Sequence, residues 1–178
     1  MPDRTDIDLD LARRVHAAAH LTGEFRLRSG ATSNEYFDKY RFESDPALLR
    51  AVAGALAPLV PAGADALAGL ELGGVPIATM LSQVTGLPTV FVRKRAKAYG
   101  TARLAEGADV DGRRLVIVED VVTSGGQVVE SAQELRALGA TVTDALCVID
   151  REAGGSEHLA DVGVTLRAAF TLSALRAA

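Results

Sequence analysis

The sequence predicts an α/β protein: an open, mainly parallel sheet flanked by helices, with a small hood of extended chain near the N-terminus. Three observations carry that expectation. From Asp65 onward, short apolar runs alternate with amphipathic helical stretches over short connections. Two of those runs, Ala66–Leu70 and the one beginning at Leu115, end in Gly-rich turns of the kind that pass a buried strand into a helix. Residues 20–42 instead hold aromatic-bearing extended pieces around a Gly/Ser turn, the pattern of a hairpin.

At 178 residues the chain fits a single domain, 1–178, long enough to bury a core without disulfides or metals. Its composition, 48% hydrophobic and 24% charged, is that of a globular domain and argues against wholesale disorder. A net charge of −4 excludes a generic nucleic-acid coat, so any basic site must be local. The single cysteine, Cys147, lies in an apolar run and reads as a buried structural residue of an intracellular protein. Met1 to Asp10 carries acids where a signal peptide needs basic and apolar regions, and no run is long enough to span a bilayer. The expectation is a cytoplasmic protein with no membrane or nucleic-acid partner.

HExxH, CxxC and GxSxG are all missing, which leaves zinc-hydrolase and serine-hydrolase readings without support. The histidines are His16, His20 and His158. His16 and His20 stand four apart on an expected helix, but with no third ligand nearby they read as a solvated helix end.

Taken in order, Ile7, Leu11, Val15 and Ala18 give a helix over Ile7–Ala19. Glu24–Leu27 and Tyr36–Tyr40 are the hood's two extended pieces, separated by the turn Arg28-Ser29-Gly30. Asp45 as N-cap and Pro46 at the first position open a helix whose buried stripe is Leu49, Val52, Leu56 and Leu59. Strand Ala66–Leu70 follows, then Glu71-Leu72-Gly73-Gly74 and a helix to Val84. That unit is as readable as a plain turn as it is as a second anion site. Gly86-Leu87-Pro88 breaks the chain before strand Thr89–Val92.

Residues 94–107 read as a mobile basic loop. With Arg93 it places five cations (Arg93, Lys94, Arg95, Lys97, Arg103) in eleven residues, without a helical apolar face. A loop of that length without structure of its own is usually a lid or binding loop, and its charge points to a small polyanion. Asp111-Gly112 then turns the chain into the central strand. After it, a helix over Gln127–Leu138 with stripe Val128, Ala132, Leu135 and Leu138 stops at Gly139. Strand Val142–Ile149 ends at Asp150-Arg151-Glu152, Gly154-Gly155-Ser156 is a loop, Gly163–Ala168 a last strand and Phe170–Arg176 a closing helix.

The stretch Leu115–Gln127, LVIVEDVVTSGGQ, organises the rest. An apolar strand runs into Glu119 and Asp120, then a small-residue turn, Thr123-Ser124-Gly125-Gly126, opens a helix. Free N–H groups and the positive end of the helix dipole make such a turn an anion cradle, and glycines let the backbone approach a phosphate. Carboxylates so near a phosphate cannot help bind it, but they can accept hydrogen bonds from the hydroxyls of a phosphorylated sugar. Adjacent residues on a regular strand face opposite ways, so both acids reach one sugar only if the chain is leaving the sheet at Asp120.

This string resembles the motif by which type I phosphoribosyltransferases bind 5-phosphoribosyl 1-diphosphate (PRPP). The resemblance implies that Glu119 and Asp120 meet the ribose hydroxyls and that Thr123, Ser124, Gly125, Gly126 and Gln127 hold the 5′-phosphate, with Val121 and Val122 also in the PRPP site. Over nearly the whole chain it narrows to the orotate phosphoribosyltransferases. Arg93-Lys94-x-x-Lys97-x-x-Gly100 with Glu106-Gly107 is similar to that family's mobile loop. Leu27-Arg28-Ser29-Gly30 with Tyr36-Phe37-Asp38 is similar to its hood, and Asp150-Arg151 to its orotate-binding arginine.

The implied reaction is orotate plus PRPP giving orotidine 5′-phosphate and pyrophosphate, in pyrimidine synthesis. Lys97 and Asp120 would be catalytic; Arg28, Arg93, Lys94, Lys97 and Tyr99 would join the PRPP site; Thr123 and Arg151 would touch orotate. Mg²⁺ would be the cofactor, held mainly by PRPP instead of by protein side chains, and the active unit a homodimer sharing the loop across subunits. The sequence departs from common family patterns at Tyr99, where many members have His, at Leu72-Gly73, where some carry Tyr-Lys, and at Arg28, where Lys is frequent. Two alternatives stay open. A phosphoribosyltransferase for an uncharged base would leave Arg151 without a carboxylate to hold. A non-catalytic PRPP sensor should carry a DNA-binding segment, and no helix-turn-helix pattern is evident.

Overall fold

The computed structural model of the chain describes residues 8–26, 30, 32–95 and 104–178. Helix α1 (Leu9–Ala19) starts where Asp8 can cap it, its Oδ1 accepting the Leu11 N–H at 2.9 Å, and it buries Leu11, Ala12, Val15 and Ala19. Ile7, the expected first residue, lies outside the described residues. The chain passes directly into β1 (His20–Arg26), which pairs antiparallel with β2 (Thr32–Phe37) as a separate two-stranded sheet. The hood is thus a hairpin, with strands placed earlier than the aromatic spacing predicts. β1 begins at His20, not Glu24, and β2 stops at Phe37, because Asp38 accepts the Tyr40 N–H and Tyr40–Glu43 turns into the short helix α2.

Helix α3 (Pro46–Leu56) has the expected cap, Asp45 Oδ1 accepting the Ala47 and Leu48 N–H groups at 2.9 and 3.0 Å. Leu59 falls beyond it, in a 3-10 turn, and is only partly buried. The remaining elements are β3 (Ala66–Leu70), α4 (Gly74–Thr85), β4 (Thr89–Val92), β5 (Ala105–Gly107), β6 (Arg114–Val122), α5 (Gly126–Ala137), β7 (Thr141–Asp150), α6 (Gly155–Asp161), β8 (Thr165–Thr171) and α7 (Leu172–Ala177). The main sheet runs β5-β4-β3-β6-β7-β8, parallel throughout except for β4–β5.

One hydrophobic core lies between this sheet and α1, α3, α4 and α7; a second lies under α5 and α6. Cys147 is fully buried, and burial pushes its thiol far above the ordinary range, leaving it inert. Among the described residues no helix is long and apolar enough to cross a membrane.

Four further boundaries differ from expectation, three of them through tertiary contacts. Part of the expected basic loop, Ala105–Gly107, is the edge strand β5, paired to β4. Gly155 and Ser156, expected in a loop, begin helix α6, held down by the fully buried Leu159. Phe170 belongs to β8 and packs in the core, so the closing helix starts at Leu172. Leu138 caps α5 and is exposed, while Gly139, at φ +91°, stops the helix as expected.

From β3 the chain crosses to β4 on one side and returns to β6 on the other. The sheet's topological switch point therefore lies between β3 and β6, and such folds bind ligands beyond the carboxyl ends of those strands.

Candidate active site

Pairing of β3 with β6 stops at Val118, whereas β7 accompanies β6 as far as Val122. The chain therefore stays in the sheet at Asp120, contrary to the simplest expectation, but its alternation slips there. Val116, Val118 and Val121 pack with one core, Leu115, Ile117 and Val122 with the other. The acids' own oxygens take local amides at the slip. Glu119 Oε1 accepts the Asp120 N–H at 3.0 Å, and Asp120 Oδ1 accepts the Val121 N–H at 2.5 Å.

Gly125, at φ +76°, then turns the chain into α5, whose N-terminus has no capping side chain and no acid in its first turn. Its first amides remain available to an anion. Glu119 and every residue from Val121 to Val128 line one open pocket of about 180 Å³.

Helix α6 supports this turn from behind. A Cβ on Gly155 would fall 2.6 Å from the Thr123 carbonyl oxygen, and one on Gly125 would fall 2.7 Å from Leu159 Cδ1. His158 Nδ1–H donates to the Ser124 carbonyl at 2.8 Å. Neither His158 nor Gly155 has a role readable from its neighbours, since their partners lie some thirty residues away.

Val121 and Thr123 also line a second, larger pocket of about 390 Å³, together with Tyr36 and Phe37 of the hood, Lys39, Ile149 and Arg151. Arg151 is set by its neighbours. Its N–H donates to Val122 O at 2.9 Å, and Asp150 Oδ1 accepts the Glu152 N–H at 2.9 Å. Glu152, at φ +56°, accepts the Ser173 N–H and O–H, each at 2.8 Å, tying the segment to α7. At the pocket's outer end the His16 and His20 rings stack at 4.8 Å, and Glu35 pairs with His20 and Arg176, each at 3.0 Å. Burial first, then the neighbouring His20 and Arg176 charges, lowers the His16 pKa.

The two acids of β6 part company. Glu119 forms part of the cradle wall, and burial, followed by the Asp120 charge, raises its pKa. Asp120, 1% exposed, is ion-paired with Lys39 and lies against the turn after β3. A Cβ on Gly73 would land 1.5 Å from Asp120 Oδ2. The possible second anion site at the start of α4 thus has a carboxylate packed beside it. Burial works against the Lys39 ammonium, but its bond to Asp120 more than offsets this and raises its pKa. Buried Glu43 lies close by, its carboxyl pushed up to about 8 by burial first and then by the Asp120 charge. Lys39 and Glu43 were not among the site residues expected from sequence; the available signal was a lysine directly after Tyr36-Phe37-Asp38.

Of the basic loop, Arg93 pairs with Glu106 at 3.9 Å, and the Lys94 N–H donates to Glu71 Oε2 at 3.1 Å, at the same sheet edge. Arg28, Lys97 and Tyr99 lie outside the described residues. Among the described residues no group of three or more His, Cys, Asp or Glu side chains could hold a metal.

The chain resembles known proteins over most of its length. The phosphoribosyl transferase domain model matches residues 41–170. The chain is 54% identical to an orotate phosphoribosyltransferase of Nocardioides sp. over 97% of its own length and 96% of the relative's. It is 47% identical to the orotate phosphoribosyltransferase of Halobacterium salinarum, covering 93% and 95%. Among solved structures, Mycobacterium tuberculosis orotate phosphoribosyltransferase in complex with PRPP superposes with a TM-score of 0.82 at 25% identity, over 94% of this chain and 98% of that one. By the family model and these relatives, this chain belongs to the phosphoribosyl transferase domain family, among its orotate phosphoribosyltransferases.

Proposed function

We propose that the protein transfers the 5-phosphoribosyl group of PRPP to orotate, giving orotidine 5′-phosphate and pyrophosphate. The observation that carries this reading is the continuity of the two pockets. Val121 and Thr123 line both, so a sugar phosphate in the cradle would present its C1 to a base held against Arg151. The Arg151 fork suits a planar carboxylate, which orotate has and the other common bases lack.

In the reaction the bond from C1 to the diphosphate oxygen breaks, a ring nitrogen of orotate bonds to C1, and that nitrogen's proton leaves. The α5 amides hold the 5′-phosphate and Glu119 accepts from the ribose hydroxyls, with Asp120 beside it. Negative charge grows on the departing diphosphate, where Arg93, Lys94 and Lys97 of the loop stabilise it once water is excluded. Tyr99 would add one neutral hydrogen bond, and Arg28 would join the PRPP site. A Mg²⁺ ion would be held mainly by PRPP oxygens and its own water instead of by protein side chains, and when bound it would neutralise diphosphate charge. The active unit is a homodimer sharing the loop, working in the cytoplasm.

The test is turnover of PRPP with orotate, uracil, adenine and hypoxanthine in the presence of Mg²⁺. Orotate alone should react. Turnover confined to a base without a carboxylate would end the orotate reading, and PRPP binding without turnover on any base would favour a sensor.

A further inference from the structure

Lys39 belongs to two places at once. Its ammonium pairs with Asp120, and its side chain forms part of the wall of the pocket that holds Arg151. The backbone on either side of it is fixed: the Asp38 N–H donates to Ala19 O at 2.8 Å, and Asp38 Oδ1 accepts the Tyr40 N–H at 3.2 Å. Asp120 is equally constrained, packed against Gly73 so closely that no side chain fits between them. Next to this pair lies Glu43, whose two carboxyl oxygens are buried and find no hydrogen-bond partner among the described residues.

A carboxylate buried as deeply as Asp120 is costly to leave without a countercharge, and loss of that partner frees it from the orientation the ion pair imposes. The groups around the pair are Glu119 and Glu43, with Asp38 and Tyr40 beyond them, so acids predominate and Lys39 supplies the compensating charge.

We propose that Lys39 is a positioning residue for use of the sugar donor. Through its ion pair it fixes Asp120 as an oriented carboxylate against Gly73, and it thereby couples the hood and the base pocket to the acid of the sugar site. The inference rests on the reading of the cradle as a PRPP site.

The test compares Lys39→Met, Lys39→Arg, Asp120→Asn and the Lys39→Met/Asp120→Asn double variant. The readouts are PRPP affinity by calorimetry with Mg²⁺ and KM for orotate. Lys39→Met should weaken PRPP binding at pH 7 by about tenfold or more while orotate KM stays within about twofold. Lys39→Arg should restore most of the affinity, and the double variant should be no worse than Asp120→Asn. Unchanged PRPP affinity overturns the proposal, as do multiplicative losses in the double variant. A rise in orotate KM alone would make Lys39 a direct base contact and overturn it too.

Gly73→Ala provides an independent handle, because its Cβ displaces Asp120 while leaving Lys39 in place. A folded Gly73→Ala variant that binds PRPP normally also refutes the proposal. If the wild type binds PRPP and responds to Lys39→Met but does not use orotate, the base assignment fails and this inference stands. If the wild type turns over orotate and Lys39→Met matches it, the inference alone fails. A wild type that binds no PRPP overturns both.

Discussion

Glu43→Gln should stabilise the fold at pH 8 and leave it nearly unchanged at pH 4.5. Glu43 lies on α2 with 7% of its surface exposed, and neither carboxyl oxygen has a hydrogen-bond partner among the described residues. Burial, with the Asp120 charge adding to it, pushes its pKa to about 8 from an ordinary 4.5. Below pH 4.5 the group is neutral whether the chain is folded or not, and it contributes no pH dependence. Between 4.5 and 8 the unfolded chain has released the proton while the folded chain keeps it. The unfolded state then binds fewer protons, so stability falls as pH rises. At pH 8 the accumulated penalty is on the order of 4 kcal/mol, and at pH 7 about 3 kcal/mol. Gln has the same shape, stays neutral and loses no hydrogen bond, so the variant escapes the penalty. Thermal unfolding at pH 4.5, 6, 7 and 8 measures this: the two melting temperatures should nearly coincide at the acid end and differ by about 10 °C at pH 8. A stability difference constant across that range would refute the reasoning, because it would mean that Glu43 titrates alike in both states.

Gly155→Ala should destabilise the protein by about 2 kcal/mol and weaken PRPP binding, since its Cβ would strike the Thr123 carbonyl and push the cradle turn off α6; denaturant unfolding and calorimetry read the two effects. Arg151→Ala should raise KM for orotate about tenfold or more with a much smaller effect on PRPP, and equal effects on both substrates would contradict its role as base reader. Lys97→Ala should lower kcat by about 100-fold with the melting temperature unchanged; a wild-type rate would remove Lys97 from the reaction.

Much of this molecule is legible one segment at a time. The bounds of β3 and β4, the Asp45 cap of α3 and the Gly-rich turn into α5 follow from apolar period, caps and glycine, all properties of neighbouring residues. Resemblance over nearly the whole length then named the reaction that the relatives' names also carry. Segments that are stabilised from a distance were not legible. The α6 helix reads as a loop because its sequence is short and glycine-led, and Leu159, buried beneath the cradle, is what holds it. The end of the basic loop became a strand because β4 offered an unpaired edge.

At the site, the sequence by itself determined that Glu119 and Asp120 would stand before an anion cradle and that Arg151 would end the next strand. Only the tertiary structure decided how those groups divide the work. β6 loses one neighbour at Val118, its alternation slips, and the two acids separate, Glu119 into the cradle wall and Asp120 against Gly73 and Lys39. Lys39 lies eighty-one positions before Asp120, and local periodicity carries no information about so distant a pairing. That contact exists because packing α1, α2 and α4 on one face of the sheet closes the distance between them.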